Sequence, residues 1–312
     1  MSAELPLPTA VESRLDRWAN LLLTREAATP MALFRAAIGV CVIVSLGGVL
    51  AHHDVAALWL DPRHGGYAPH SAPWLFGLLG GATPQNVWSV LGVTLAAGGL
   101  LVLGLGGRFP ALVALLGHMA LVGLDPDAGG SYDTLIGNAL WLLVLADSTA
   151  TLSLDCWLRN RRFTSAATIP AWPRWLALYQ LVLMYASTGL QKVSDTWVPF
   201  GPLSAVYYVM QQPTWQRFDL SWLADVYPLT RLATLLVWCF EVSSPLLLLA
   251  IWLERSSTGR LGAALRRLPY RRIWAGFGLT FHMGIALTLV LGPFPYVAMA
   301  FYLALIPGAR RR

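Results

Sequence analysis

The sequence predicts an all-α, polytopic integral membrane protein, a bundle of about eight transmembrane helices with both termini in the cytoplasm. Hydrophobic residues make up 56% of the chain and charged residues only 12%, whereas soluble domains carry about 25% charged residues. Apolar runs recur along the whole chain at lengths that suit a bilayer core of about 30 Å. No soluble-looking block separates them, so residues 1–312 are expected to form a single domain.

A surface helix is predicted before the first span. Residues 11–27 interleave apolar side chains such as Trp18 and Leu22 with arginines, which is typical of an amphipathic helix on a membrane surface. The first span begins behind Pro30, because the fixed φ and missing N–H of proline suit a helix start. The predicted spans are 31–51, 86–106, 110–124, 134–154, 173–193, 231–253, 273–291 and 293–308.

The distribution of arginine indicates how these spans are oriented. Basic residues near the ends of short loops are retained on the cytoplasmic side of a membrane. With eight alternating spans, seventeen arginines fall on the side of the amino terminus, and only Arg63, Arg217 and Arg231 fall on the other. Both termini are therefore predicted to be cytoplasmic. The loops predicted to lie outside are 52–85, 125–133 and 194–230.

Lys192 is the only lysine in a chain that contains twenty-one arginines. It ends the fifth predicted span, where a water-poor environment favours the neutral amine. Lysine differs from arginine chiefly because it can lose its proton, and this chain uses arginine at all its other basic positions. Lys192 is therefore the candidate active base. The alternative is a snorkelling side chain that ends the helix at the interface.

Two ionisable residues of later spans are predicted to lie at one depth. Glu241 lies about ten residues from the outer end of its span and His282 about nine, at ~1.5 Å per residue. Tyr185, Thr188 and Lys192 share one helix face by their i, i+3, i+7 spacing. These residues predict a polar pocket that opens outward. A structural ion pair is the alternative for Glu241, and a satisfied interhelical histidine is the alternative for His282.

The remaining polar residues indicate no other chemistry. The spacing of the histidines and Asp54 in the first outer loop fits no metal-ligand pattern, so no metal is expected. The sequence contains no nucleophile elbow, phosphate loop or dinucleotide fingerprint. Basic residues are dispersed among predicted cytoplasmic loops, so nucleic-acid binding is not expected. The residues of that outer loop that offer nitrogen and oxygen atoms for a metal in principle include His52, His53, Asp54, His64 and His70.

Several short motifs suggest a family. Residues 188–193 read Thr-Gly-Leu-Gln-Lys-Val and are followed by Trp197 and Gly201. Other motifs are Leu33-Phe34-Arg35 with Gly39, Gly129-Gly130-Ser131 through Ser153-Leu154-Asp155, Glu241 with Pro245, and Phe281-His282. Together they resemble the HTTM (horizontally transferred transmembrane) family, whose members are relatives of vitamin K-dependent gamma-carboxylase. The resemblance extends over nearly the whole chain.

The resemblance implies an activity for the predicted pocket. In the carboxylase, the lysine that matches Lys192 is taken to deprotonate vitamin K hydroquinone, whose oxygenation then yields a base strong enough to abstract a glutamate γ-proton before CO2 adds. By resemblance, Lys192 acts with Glu241 and His282, and a membrane quinone or hydroquinone is the expected cofactor. The candidate substrate-binding residues are Tyr185, Thr188, Trp197, Tyr132 and Asp133.

Two alternatives stay open. Some bacterial members of the family look like the membrane component that helps a secreted, sporulation-delaying peptide toxin to mature, so a non-catalytic accessory role is the first. A small-molecule transporter is the second, although the sequence has no pair of Gly/Pro-broken helices in matching halves. The expected partners are the lipid bilayer and an exported peptide or protein. The expected location is a bacterial plasma membrane, crossed several times.

Overall fold

A computed structural model describes residues 19–20, 23–67, 73–256 and 259–308. This part of the chain is mostly helical and includes one two-stranded sheet. Its strands are β1 (Arg25–Ala27) and β2 (Thr168–Pro170). Its α-helices are α1 (Thr29–Ala51), α2 (Val55–Trp59), α3 (Trp74–Leu78), α4 (Pro84–Leu103), α5 (Phe109–Val122), α6 (Ser131–Leu145), α7 (Leu154–Asn160), α8 (Trp172–Gln191), α9 (Ala205–Met210), α10 (Tyr227–Ser243), α11 (Pro245–Ser256), α12 (Arg260–Arg267), α13 (Tyr270–Thr288) and α14 (Phe294–Phe301).

The antiparallel pair of β1 and β2 replaces the end of the predicted surface helix. Most of residues 11–27 lie outside the described residues, but 25–27 form β1, so a helix there is wrong. Glu26 stands opposite Ile169 in the ladder. Its carboxylate accepts hydrogen bonds from Nε and Nη2 of Arg174 at 2.5 and 2.7 Å. The strand pairing therefore satisfies backbone hydrogen bonds of residues 25–27, and it places the carboxylate of Glu26 against the buried Arg174.

Two of the described helices, α1 and α4, are long and apolar enough to cross a membrane. A third span results if the bent pair of α10 and α11 is counted as one. The helices α5, α6 and α14 with its 3-10 extension are apolar but shorter, and α8 and α13 are long enough but less apolar. The count of eight spans and the cytoplasmic termini therefore stay predictions.

Two predicted spans differ from the observed helices. The fourth was expected to reach residue 154, but α6 ends at Leu145. The segment behind it is polar, and the Ser153 hydroxyl donates to the Thr149 carbonyl at 2.6 Å, a bond that competes with helical pairing. The predicted sixth span is two helices that meet at 49°. Pro245 begins the second of them because it has no N–H to continue the first.

Close approaches between helices position the later site. α8 packs against α10, α11 and the 3-10 helix Tyr302–Leu305, and α13 packs against α14 and the same 3-10 helix. A Cβ atom on Gly189 would lie 2.8 Å from the Cβ of Glu241 and from the backbone nitrogen of Val242. A Cβ on Gly278 would lie 1.6 Å from the hydroxyl of Tyr302. Glycine at these two positions lets the helices approach closely.

Candidate functional site

A cavity of about 840 Å³ brings together most of the predicted site residues. We call it the Lys192 cavity. Its walls come from α6, α8, α9, α10, α13 and the segment after α8, and they are largely apolar. The structure therefore brings the fifth, sixth and seventh predicted spans to one cavity. The predicted site residues in its walls are Tyr185, Thr188, Lys192, Trp197, Glu241 and His282.

Lys192 stands at the end of α8 and pairs with Glu241 of α10. The lysine Nζ donates to Oε2 of Glu241 and lies 4.5 Å from the centroid of the Trp197 ring. Glu241 is only 3% exposed. The sequence predicted a water-poor site that favours a neutral amine, and the structure adds a carboxylate that favours the ammonium. The two groups therefore form a charge-assisted hydrogen bond in the wall of the cavity.

A second polar group in this region is a chain of three buried side chains. The Tyr185 hydroxyl lies 2.5 Å from Nε2 of His282 and 2.5 Å from the Tyr302 hydroxyl. Tyr185 and His282 are each 1% exposed and Tyr302 is 5% exposed. Nδ1 of His282 has no hydrogen-bond partner among the described residues. This nitrogen is therefore a buried polar atom that the described residues leave unsatisfied.

Tyr132 and Asp133 are not among the described residues that line the Lys192 cavity. Oδ1 of Asp133 lies 3.1 Å from Nε2 of His118, and Oδ2 accepts a hydrogen bond from the Gly130 N–H at 2.8 Å. Asp133 therefore connects α6 to α5 and caps the start of α6. The ring of Tyr132 lies beside Gly292, just after α13. Neither side chain is placed with Lys192.

Sequence reasoning missed two sets of polar residues in the cavity. Ser131, Thr134 and Asn138 line it from α6 at an i, i+3, i+7 spacing, a signal that was visible in the sequence. Gln180 lines it from α8, and its Oε1 is buried with no partner among the described residues. Tyr302, which bonds to Tyr185, was also missed. The sequence signal was a tyrosine inside a predicted span, because a buried phenol hydroxyl needs a hydrogen-bond partner.

The histidine-rich outer loop gives no metal site in the described part of the chain. No three His, Cys, Asp or Glu residues come together there in a way that could hold an ion. His70 lies outside the described residues.

The fold and the cavity define a helical membrane protein with an internal site of ionisable and aromatic side chains. The family model for the HTTM domain matches residues 24–249, so the chain belongs to the HTTM family. The match includes Lys192 and Glu241 and ends before His282 and Tyr302. Neither a curated protein nor a solved structure matches the chain.

We expect Gly189→Ala to destabilise the protein and to disturb the Lys192–Glu241 pair. The added methyl group meets the backbone of α10, so α8 and α10 must separate, and overpacking of this kind costs about 1–3 kcal/mol. Thermal unfolding in detergent, followed by tryptophan fluorescence, measures the loss. Gly276→Ala is the matched control because its Cβ would have nothing within 4 Å. Equal unfolding midpoints in the two variants would contradict the close approach at Gly189.

Proposed function

We propose that this HTTM-family membrane protein is an enzyme that takes a proton from a membrane-soluble quinol, with Lys192 as the base. The observation that carries the proposal is the Lys192–Glu241 pair in the wall of a largely apolar cavity. Its volume of about 840 Å³ lies within the range of about 300–1,000 Å³ that is usual for small-molecule sites. The family's relationship to vitamin K-dependent gamma-carboxylase supports the choice of substrate.

The ion pair offers a route to a neutral amine. When a substrate displaces water from the cavity, the neutral forms of both groups are favoured over the charged forms. The ammonium of Lys192 then passes its proton across the existing hydrogen bond to the carboxylate of Glu241. The amine accepts the proton of the substrate hydroxyl, and the resulting ammonium stabilises the substrate oxyanion.

Two further polar groups of residues that line the cavity are candidates to contact a second ligand oxygen. Nδ1 of His282 and Oε1 of Gln180 are buried and have no partner among the described residues. One can donate or accept a hydrogen bond and the other can accept one. In the proposal they contact the ligand oxygen remote from Lys192, while the Trp197 ring packs against the ligand.

The proposal also includes an orientation of the chain in the membrane. We take the chain to span a bacterial plasma membrane eight times, with both termini inside and the Lys192 cavity open towards the outer half of the bilayer. The bias of arginine supports this arrangement. A lipid-soluble substrate then reaches the cavity from the membrane without crossing water.

The second candidate is a non-catalytic role in the maturation or export of a secreted peptide. The segment between α8 and α10 exposes several large apolar side chains, which favours contact with a peptide or with the membrane interface. In this role Lys192 only pairs with Glu241 and its basicity is not needed. The exposed side chains are Phe200, Tyr208, Trp215, Phe218 and Trp222.

The identity of the copurifying ligand tests the proposal. We expect a quinone at near-stoichiometric amounts when the protein is purified in mild detergent, extracted with organic solvent and analysed by mass spectrometry. Ala233→Trp should remove it, because Ala233 lines the cavity. Val93→Trp should retain it, because Val93 is 56% exposed on α4. Absence of quinone, or equal amounts in both variants, would overturn the proposal, and a bound peptide would favour the accessory role.

A further inference from the structure

A second cavity, of about 990 Å³, lies between β1, α11, α12, α13 and the segment that follows α14. We call it the arginine cavity. Among the described residues that line it, arginines outnumber carboxylates by six to two. The carboxylates are Glu26 and Glu254. The arginines are Arg25, Arg255, Arg266, Arg267, Arg271 and Arg272.

Both carboxylates of the arginine cavity already bind an arginine. Glu26 accepts the two hydrogen bonds from Arg174, which is not among the lining residues. Glu254 accepts from Arg271 and, at 2.5 Å, from the hydroxyl of Tyr270. Among the described residues, the wall therefore carries more positive than negative charge. A positively charged concave surface concentrates anions.

Trp175 adds an unsatisfied hydrogen-bond donor to the residues of this wall. Its side chain lines the cavity, with the guanidinium of Arg255 4.4 Å from its ring centroid and that of Arg174 at 4.7 Å. Its Nε1–H is buried and has no hydrogen-bond partner among the described residues. Indole nitrogen is a donor only, so this group can be satisfied only by an acceptor. Leaving such a donor unpaired is unfavourable.

We propose that the arginine cavity binds the phosphate group of an anionic ligand. Guanidinium groups form paired, charge-assisted hydrogen bonds with phosphate oxygens, and such bonds are stronger than those between neutral groups. The indole N–H of Trp175, in the same wall, is a donor without a partner among the described residues. Arg267, at the end of α12, and Arg272, in the first turn of α13, are exposed and line the cavity, so they form its rim. A phospholipid headgroup and a soluble phosphomonoester share this chemistry.

The test measures anion binding by the whole chain in a neutral detergent. Thermal unfolding is followed with increasing inorganic phosphate, with glycerol 3-phosphate, and with mixed micelles containing either phosphatidylglycerol or phosphatidylcholine. Sodium chloride keeps the ionic strength constant. Two double variants remove the same charge: Arg267→Gln with Arg272→Gln at the cavity, and Arg108→Gln with Arg162→Gln at exposed positions that do not line it.

We expect the anion to raise the midpoint of thermal unfolding in a saturable way. The concentration that gives half of this rise should be about tenfold higher or more in the cavity variant and unchanged in the surface variant. Saturation by phosphate and glycerol 3-phosphate identifies a soluble ligand, whereas saturation by phosphatidylglycerol alone identifies a lipid headgroup. An equal loss of stabilisation by the anion in the two variants would show that general surface charge causes the effect, and this would overturn the proposal. Absence of stabilisation by every anion would overturn it as well. Neither result depends on Lys192.

Discussion

Replacing Lys192 by arginine is expected to abolish quinol turnover while the protein stays folded. Arginine keeps a positive charge beside Glu241, but a guanidinium does not lose its proton in a protein. A general base accelerates proton transfer by about 10²–10⁴-fold, so the rate should fall by at least about 10²-fold. The measurement is the rate of quinol consumption in aerated proteoliposomes, where dioxygen is the oxidant, together with the unfolding midpoint in detergent.

Arg63→Lys is the control for this substitution. It exchanges the same two side chains at an exposed position in the 3-10 helix Pro62–His64, far along the chain from α8. We expect its rate and its unfolding midpoint to equal those of the unaltered protein. Full activity of the Lys192→Arg variant would show that no proton leaves this position, and Lys192 would then be an anchoring or pairing residue.

Removing the carboxylate of Glu26 is expected to give the largest loss of stability. Its side chain and that of Arg174 are 7% and 3% exposed, and Arg174 also donates to the Ala304 carbonyl at 2.8 Å. Glu26→Ala leaves the arginine charge buried without its carboxylate, which costs about 3–5 kcal/mol. The loss appears as a lower midpoint of thermal unfolding, measured at fixed detergent and lipid content.

Glu254→Ala is the matched comparison because it removes the same group from another pair with arginine. The side chains of Glu254 and Arg271 are 24% and 20% exposed, so water can solvate the arginine that is left. The expected loss is about 1 kcal/mol or less. A Glu26→Ala variant no less stable than Glu254→Ala would contradict a buried pair that holds β1, α8 and the chain after α14 together.

The charged part of the Lys192 cavity was predictable because ionisable residues are rare in apolar runs. Glu241 and His282 stand out there, and the amine at the end of α8 pairs with Glu241. Uncharged polar groups give a weaker signal, which is why Gln180 and Tyr302 were missed. Their importance arises from burial and from their partners, and neither can be read from hydropathy.

Predictions from local sequence patterns also failed where a contact with a remote part of the chain decides the conformation. Residues 25–27 have the composition of the preceding amphipathic segment, yet they pair with residues 168–170. Glu26 of this strand also pairs with Arg174, which lies on α8 far along the sequence. The arginine cavity shows the same limit. In the sequence, each of its arginines indicates only how the chain is oriented in the membrane. Only the folded structure brings them into one wall with Trp175.

Tyr302 belongs to the wall of the arginine cavity, and its hydroxyl holds the hydroxyl of Tyr185, which belongs to the wall of the Lys192 cavity. Gly278 lies so close to that phenol that not even a methyl group fits between them. Two hydrogen-bonded phenols, Tyr302 and Tyr185, thus lie between the two cavities. The hydrogen bonds Tyr302–Tyr185 and Tyr185–His282 therefore form one continuous connection from the wall of the arginine cavity to the wall of the Lys192 cavity.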